Sequence, residues 1–417
     1  MAVSLLGLVD DMVGVTEAGF RAQQMNALIN AKSADKGLQF GVKKCKSMLI
    51  GKNVENVLNS NLTVDNWSST HRDIPELGTD ELVDSYEGLI SIDKTDQQKY
   101  LGFVLSNKGN NMVNINYMKE KSKGIIRRIF SKLESLHLKQ YYFECALVFM
   151  NTMLRSSILY ACETYYNLKE VEIRQLERIE EGFMRQLLKT SKGCPIVQLY
   201  TELGQVPARF EISKIRLLFL KYILDQNPSS MIYRFFDIQR RTTKKGDWIA
   251  MCLEDLRHLE INGSFEEIKK MSYFQFKKLL KDRVKIAAFE YLNNKKGTKG
   301  GDIQYSKLQM AEFLLPTSVK LSIEAKCEIF GMRNKMSKIP ANYSSREVKH
   351  FCFCGEEEDM EHVYTCKQLK SEEPLTEYKY IYSENIDKIS YVYKRFVENM
   401  DIREQLLNEN ENKTKSE

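Results

Sequence analysis

The stretch LLGLVDDMVGVTE, residues Leu5 to Glu17, places two adjacent aspartates between two short apolar runs. Neighbouring side chains of an extended strand point to opposite faces, so Asp10 and Asp11 can address one site only if the backbone turns there. The pattern therefore predicts a hairpin with the aspartates at its tip. Such a pair could face water in an ordinary turn, or it could bind hard cations such as Mg²⁺, which prefer oxygen ligands.

The residues that follow this hairpin predict a small α/β segment over 1–52. Apolar residues recur at helical spacing in AQQMNALINAKSADKG, residues 22–37, with Leu28 on the predicted apolar face. The run KSMLIG, residues 46–51, predicts a further strand. The start of the chain is therefore expected to contain two strands, a helix and a third strand.

The remainder of the chain predicts a mainly helical protein. Between Asn53 and Lys99 ten acidic residues are set against three basic ones, which predicts an inserted hairpin or loop. Helical periodicity then dominates to about residue 345, before a cysteine-containing segment and a polar tail. The predicted fold class is α+β and mainly α. The predicted segments are 1–52, 53–105, 106–225, 226–345, 346–370 and 371–417, the last of them partly disordered.

A basic segment, MKEKSKGIIRRIFSKLESLHLK at residues 118–139, has seven basic and two acidic residues from Lys119 onward. Its isoleucines and leucines predict an amphipathic helix with an apolar face beside a basic one. The basic face could simply be solvated, as most charge runs are, or it could follow the phosphates of a nucleic acid. The basic residues are Lys119, Lys121, Lys123, Arg127, Arg128, Lys132 and Lys139.

The composition is that of a globular chain whose charge is nearly balanced. The 417 residues are 43% hydrophobic, enough to bury a substantial core, and 62 basic residues are set against 56 acidic ones. An anionic partner must therefore meet a local basic patch. No apolar run is long enough to cross a bilayer, so no membrane partner is expected. The first residues lack the features of a secretory signal, so we expect a reducing intracellular compartment without disulfides.

Three of the nine cysteines and one of the five histidines lie within 15 residues, in HFCFCGEEEDMEHVYTC at 350–366. They form a Cys-x-Cys pair, a seven-residue gap and a His-x-x-x-Cys pair, and such a set can close a tetrahedral Zn²⁺ site with a structural role. Gly355 allows the sharp turn that a zinc knuckle requires. His350 is a competing histidine, but it lies so close in sequence to the first cysteine that its geometry is unfavourable for binding the same ion. The predicted zinc ligands are Cys352, Cys354, His362 and Cys366.

The order of these features resembles the second half of reverse transcriptases from non-LTR retrotransposons. The series comprises LVDDMVGVTE, LQFGVKKCKSMLIGK, KYLGFVLSNKG, the basic segment, GCPIVQLYTELGQVPARFEISKIRLLFLKYIL and the Cys/His cluster, and it covers about residues 1–370. In this family the enzyme copies element RNA into DNA and uses a nicked target as the primer. The resemblance implies the end of a palm domain over 1–52, an insertion and primer-grip hairpin over 53–105, a helical thumb over 106–225, a connector over 226–345 and a zinc knuckle over 346–370.

The resemblance also implies catalytic roles near the start of the chain. Asp10 and Asp11 would be the palm aspartates that bind Mg²⁺, with Asp10 as the preferred metal ligand. One ion would activate the attacking hydroxyl and the other would stabilise the leaving oxygen. Lys44 would lie near the phosphates of the incoming deoxynucleotide, with Lys43 as the alternative assignment.

Binding roles follow from the same resemblance. Tyr100, Leu101 and Gly102 would form the hairpin that grips the primer, and the basic residues from Lys119 onward would begin the thumb. The expected partners are an RNA template and a DNA primer, with deoxynucleotides as substrates and the nucleus as the compartment. The zinc knuckle would present a surface to RNA or DNA.

The chain departs from the family's pattern at and before the aspartate pair. Leu8 occupies a position where the family usually has an aromatic residue. The family's palm draws a further aspartate, the fingers and the template-binding segments from preceding sequence, and only nine residues precede Asp10 here. Two-metal chemistry needs that other carboxylate, so we expect the 417-residue chain alone not to polymerise DNA. The alternatives are a non-catalytic nucleic-acid-binding module and the product of a decayed element.

Overall fold

Short antiparallel hairpins come first in the chain, and a long series of helices follows. The computed structural model describes residues 4–8, 11–15, 19–34, 45–48, 63–65, 89–137, 139–295, 305, 307–318, 321–334, 351–352, 354–369 and 378–414. The chain divides into two compact units, Met1–Tyr117 and Met118–Glu417. The described residues are mainly helical, which confirms the α+β, mainly α fold class at that level.

The first unit contains three two-stranded antiparallel sheets among its described residues. The paired strands are β1 (Ser4–Leu8) with β2 (Asp11–Val15), β3 (Thr63–Asp65) with β4 (Leu89–Ser91), and β5 (Gln97–Tyr100) with β6 (Phe103–Ser106). Helix α1 (Gly19–Ala34) follows β2. The predicted order of two strands and a helix is therefore confirmed at the start of the chain.

Two details of that prediction need correction. The structure leaves Leu28 48% exposed, whereas Asn30 is only 7% exposed, so α1 departs from its predicted apolar face at these two positions. Helix α1 contacts β2 and β3, and residue spacing alone does not reveal these contacts. For the predicted strand over 46–51, only its first part is described, and there Ser47 makes a single parallel bridge to Lys94.

Helix α2 begins in the first unit and continues into the second, where helices account for most of the described chain. The helices are α2 (Asn111–Ser135), α3 (Tyr142–Phe149), α4 (Ser156–Ile158), α5 (Glu170–Leu187), α6 (Ile196–Glu202), α7 (Ala208–Leu224), α8 (Met231–Arg241), α9 (Trp248–His258), α10 (Phe265–Lys270), α11 (Tyr273–Asn294), α12 (Ile323–Arg333), α13 (Met360–Thr365) and α14 (Ile386–Thr414). A π-helical turn, Met150–Arg155, joins α3 to α4. None of the helices in the described ranges is long and apolar enough to cross a membrane.

Helix α7 is the central element of the helical unit. It packs against α5 on one side and against α9 and α11 on others. Its Leu217 and Leu220 are fully buried, as are Phe183 of α5 and Phe276 of α11. A serine N-cap precedes α10 and another precedes α11. In each, the serine hydroxyl accepts a backbone N–H of the first turn, and a Glu or Gln side chain of that turn accepts the backbone N–H of the serine. This arrangement is a capping box.

Buried ion pairs hold the start of α7 against α5. Glu180 of α5 is fully buried and accepts hydrogen bonds from Arg155 Nε at 2.7 Å, the Tyr200 hydroxyl at 3.2 Å and the Ala208 backbone N–H at 3.1 Å. Ala208 is the first residue of α7, whose N–H groups lack partners within the helix. The carboxylate of one helix therefore caps the next helix.

A glycine fixes the turn that precedes this cap. Gly204 has a φ of +62°, and a Cβ at this position would lie 2.4 Å from the backbone nitrogen of Met310. The close approach includes a hydrogen bond from the Ala311 N–H to the Glu202 carbonyl, 2.8 Å long. Only glycine combines the left-handed conformation with this backbone contact at no steric cost.

The C-terminal tail, predicted to be polar and partly disordered, contains a long helix in its described part. Helix α14 spans Ile386–Thr414, and its Ile389, Val392 and Phe396 are buried. These residues lie three and four positions apart, so they form one apolar face of a helix. The prediction for the tail rested on its composition, and the polar end NENENKTKSE gives no sign of this apolar face.

Candidate metal centre and candidate nucleic-acid surfaces

The first pair of predicted metal ligands lies on a tight turn. An antiparallel bridge joins Phe351 to Glu357, and the Cys352 N–H donates to the Glu356 carbonyl over 2.8 Å. The turn closes where the Gly355 N–H donates to the Cys352 carbonyl, with Gly355 at a φ of +88°. Glycine adopts this left-handed conformation readily, so the turn brings Cys354 back beside Cys352.

The second pair lies on and directly after the short helix α13. The helix begins after Asp359, whose carboxylate accepts the His362 N–H at 2.7 Å as an N-cap. Cys366 directly follows α13 as its C-cap, and its N–H donates to the His362 carbonyl over 2.8 Å. Residues four apart in a helical turn lie on the same side, so both side chains face the first pair.

The four side chains meet in one cluster. Their ligand atoms all lie within 4.8 Å of one another. The sulfurs of Cys352 and Cys366 are 3.6 Å apart, and Cys354 Sγ is 3.3 Å from His362 Nε2. A tetrahedral zinc with Zn–S bonds of about 2.3 Å needs ligand atoms roughly 3.8 Å apart, so the cluster is close to the required size. These four residues could hold a metal such as zinc, as the sequence predicts.

The imidazole of His362 is oriented by a carboxylate outside the cluster. Its Nδ1 lies 3.1 Å from Glu356 Oε2, while its Nε2 faces Cys354. A proton on Nδ1 that is donated to Glu356 leaves Nε2 free as a metal ligand. Glu356 and the capping Asp359 were not among the residues predicted for this site. The spacing of Asp359 ahead of an apolar helical turn is a cap signal that could have identified it.

The metal cluster forms part of a small apolar core shared with α14. Cys352, Cys366 and Leu369 are buried together, and Ile402 and Leu406 of α14 pack against them. Burial raises the pKa of the Cys352 thiol to about 12. A metal must displace that thiol proton, because only the thiolate binds metal.

Polar contacts also join α13 to α14. The Asn399 side chain donates to the Val363 carbonyl over 2.7 Å, and Arg403 donates to the buried Glu358 over 2.9 Å. Val363 follows the metal ligand His362, and Glu358 directly precedes Asp359, the N-cap of α13. The geometry of the cluster and the position of α14 therefore depend on each other.

The predicted magnesium and nucleotide residues lie mostly outside the described part of the chain. Asp10, Lys43 and Lys44 are outside it, as is His350, the competing histidine. Asp11 is the first residue of β2, and its backbone pairs with Leu8 of β1. Mg²⁺ binding at this hairpin stays a prediction.

The predicted primer-grip residues lie together at a hairpin turn. Tyr100 ends β5 and pairs with Phe103 of β6, so Leu101 and Gly102 form a two-residue connection. Both have positive φ, +47° and +85°, as tight hairpin turns require. The side chain of Asn114 accepts the Val104 N–H at 2.9 Å and ties the hairpin to α2. The role of these residues in primer binding stays a prediction.

The predicted basic face of α2 is divided between two sides of the helix. All seven cations of the segment are exposed, and six of them lie within α2. With about 100° of rotation per residue, one row contains Lys119, Lys123 and Arg127, and the other contains Lys121, Arg128 and Lys132. The two rows flank the buried residues Ile115, Met118, Ile125, Ile129 and Leu133. The prediction of a single basic face is therefore wrong.

The two rows differ in their acidic neighbours. The ammonium of Lys123 is 2.7 Å from Glu120, and Glu134 falls in the same sector of the helix. No acidic residue of α2 falls in the sector of Lys121, Arg128 and Lys132, and these three make no ion pair within the described residues. The second row is therefore the more strongly positive surface.

Comparison of the chain with protein families, with curated proteins and with solved structures finds no match.

Proposed function

We propose that this chain is a portion of an RNA-directed DNA polymerase of the non-LTR retrotransposon type. The observation that carries the proposal is the presence of two tight hairpins at the two positions where the resemblance calls for them. The register pairs Leu8 with Asp11 and Tyr100 with Phe103, so each hairpin has only two connecting residues. The first connection contains Asp10, and the second contains Leu101 and Gly102.

Catalysis in this proposal depends on the aspartate hairpin. Two adjacent carboxylates at a turn can bind Mg²⁺ together with the phosphates of a deoxynucleotide. Lys44 would neutralise charge on those phosphates. The partners would be an RNA template and a DNA primer in the nucleus.

The Cys/His cluster supports a structural zinc centre in the same proposal. Four protein ligands fill a tetrahedral site and leave no position for a substrate or a reactive water. Zinc there would fix α13 and α14 rather than take part in nucleotidyl transfer. A small, rigid surface beside the centre would then be available for RNA or DNA.

Non-catalytic nucleic-acid binding is the second candidate. It is favoured by the second cationic row on α2, which makes no ion pair with the residues that the structure describes. Lys121, Arg128 and Lys132 could follow phosphates whether or not the aspartates bind metal. The two candidates share this binding surface and differ in nucleotide incorporation. A primer-extension assay therefore separates them.

Primer extension on an RNA template with Mg²⁺ should be compared between the intact chain and Asp10→Asn. Extension by the intact chain that is lost in Asp10→Asn would establish catalysis at the aspartate hairpin. Binding of primer–template without extension in both would favour the second candidate. A mock purification from cells that lack the chain controls for contaminating polymerases.

A triple replacement of Lys121, Arg128 and Lys132 by Gln should weaken binding of an RNA–DNA duplex and flatten its salt dependence. Each phosphate contact contributes about 0.9 to the slope of log K against log salt, so the slope should fall by roughly two to three. Fluorescence anisotropy at several KCl concentrations measures it. The matched control is the triple replacement of Lys119, Lys123 and Arg127, which removes the same charge from the other row. A larger effect of the control would contradict the assignment.

A further inference from the structure

Helix α11 carries a row of exposed side chains on one side. Its buried residues Phe276, Leu280 and Val284 face the rest of the helical unit. Phe274, Lys278, Lys281 and Lys285 are all exposed. Successive residues of an α-helix are rotated by about 100°, so these four side chains lie within about 60° of the helix circumference. None of the buried residues of α11 that precede Lys285 lies in this sector.

The three lysines of this row are not neutralised within the described residues. Arg283, on another side of the same helix, pairs with Glu260 at 3.3 Å, whereas none of the ion pairs there involves a lysine of the row. Asp282 lies about 40° around the helix from Lys278, and Glu290 lies at least about 120° from every lysine of the row. Three cations therefore face one nearby carboxylate on this side of α11, and the row keeps a net positive charge.

An aromatic ring stands at the end of the row. Phe274 is 76% exposed, the highest value among the large apolar side chains found exposed in the described residues. Tyr273 beside it is 48% exposed, and Lys277 lies 6.0 Å from the centre of that tyrosine ring. The axial rise of about 1.5 Å per residue places Phe274 roughly 6 Å from Lys278 along the helix and about 16 Å from Lys285.

We infer that this face of α11 binds single-stranded RNA or DNA. The phosphates would lie along Lys278, Lys281 and Lys285, and one base would stack on Phe274. Single-strand sites combine a cationic track with aromatic rings because the face of an unpaired base is open to stacking. The inference rests on the proposed nucleic-acid function and adds a second surface, on a helix that the resemblance assigns only to a connector.

Other anionic partners fit this face less well. A duplex hides the faces of its bases, so it would use the lysines and leave Phe274 in water. A membrane-bound helix needs an apolar face along its length, and this row has a single aromatic residue beside three cations. The combination of one exposed ring and a short lysine row therefore favours a single strand.

Binding is measured by fluorescence anisotropy with labelled oligothymidylate and oligouridylate of about 15 nucleotides, a length within the usual range of single-strand binding sites. A DNA duplex of the same length is measured for comparison. The K278Q/K281Q/K285Q variant should lower the salt slope for single strands by about two, since each contact contributes about 0.7. Glutamine keeps the helix propensity of lysine, so α11 should remain folded. Phe274→Leu should weaken single-strand binding about fivefold or more without changing the slope.

Matched controls separate this surface from general charge and hydrophobicity. K192Q/K245Q/K307Q removes the same charge from exposed lysines elsewhere, and Phe235→Leu removes another exposed ring, on α8. Effects of the controls equal to those of the α11 variants would overturn the inference, as would duplex binding that is equally sensitive to Phe274→Leu. If the α2 variant loses nucleic-acid binding while the α11 variants bind as the intact chain does, only the inference about α11 is overturned. No binding by the intact chain would overturn the proposed function itself.

Discussion

A Cys354→Ser variant is expected to lose the one equivalent of zinc that the Cys/His cluster should bind. Cys354 Sγ lies 3.3 Å from His362 Nε2, and a serine hydroxyl is a poor replacement for a zinc-bound thiolate. The remaining three ligands leave an open position that water can enter. Elemental analysis of the purified chain, before and after dialysis against a chelator, measures the zinc content.

Loss of the metal should also loosen the C-terminal helix. Ile402 and Leu406 of α14 pack against Cys352, Cys366 and Leu369, so the cluster and the helix share one core. Structural zinc contributes about 10–16 kcal/mol in small zinc-binding peptides, and this binding energy is folding energy. Hydrogen exchange of the amides around Ile402 should become faster by about tenfold or more, roughly 1.4 kcal/mol of local opening free energy.

Cys145→Ser is the matched control for this variant. It removes a half-buried thiol of α3 that lies outside the cluster. Its zinc content and the exchange of α14 should match those of the intact chain. Unchanged zinc content in Cys354→Ser would show that the cluster is not a metal site. Zinc loss with unchanged exchange in α14 would show that the helix is held without the metal.

The features that the sequence predicted well are local ones. The four metal-cluster residues lie within 15 positions, so their spacing alone indicated a common site. The hairpin that contains Leu101 and Gly102 is also closed by near neighbours, with Tyr100 opposite Phe103. In such cases the chain between the partners is too short to place them far apart.

The features that the sequence did not predict depend on distant partners. Helix α14 is held by contacts such as Arg403 with Glu358, 45 positions away. Nothing in the polar composition of the tail indicates this partner. The split of the α2 cations is different, because helical spacing separates Lys121 from Lys119 by about 200° and could have revealed it.

The burial of charged residues in α5 is the clearest case in which the composition of a segment gives a wrong impression of its environment. The segment EVEIRQLERIEEGFMRQL reads as a charged, solvated helix, yet four of its glutamates are buried. Arginines from α5 and from elsewhere in the chain pair with three of these glutamates, as Arg155 does with Glu180 and Arg209 with Glu177. Burial raises the pKa of the Glu180 carboxyl, against the opposing effect of the Arg155 guanidinium. The charged form of Glu180 therefore depends on its partners.

Glu180→Gln is expected to destabilise the helical unit by about 3–5 kcal/mol, because it leaves the buried guanidinium of Arg155 without a counter-charge. The amide retains one oxygen for the three donors that Glu180 now satisfies. Urea unfolding followed by far-ultraviolet circular dichroism measures the change. Glu120→Gln is the matched control, since its partner Lys123 is exposed and surface pairs contribute little. Equal effects of the two variants would contradict the prediction.

The double variant Arg155→Gln/Glu180→Gln distinguishes a pair interaction from simple loss of packing. If the main cost of Glu180→Gln is the unpaired charge of Arg155, removing that charge as well should recover part of the stability. The single Arg155→Gln variant should also be costly, since it leaves a buried carboxylate and frees the Val206 carbonyl, which now accepts from Arg155 at 2.5 Å. Additive effects in the double variant would show that the two side chains act independently. Non-additive effects would show that the π-helical turn and α5 are coupled through this pair.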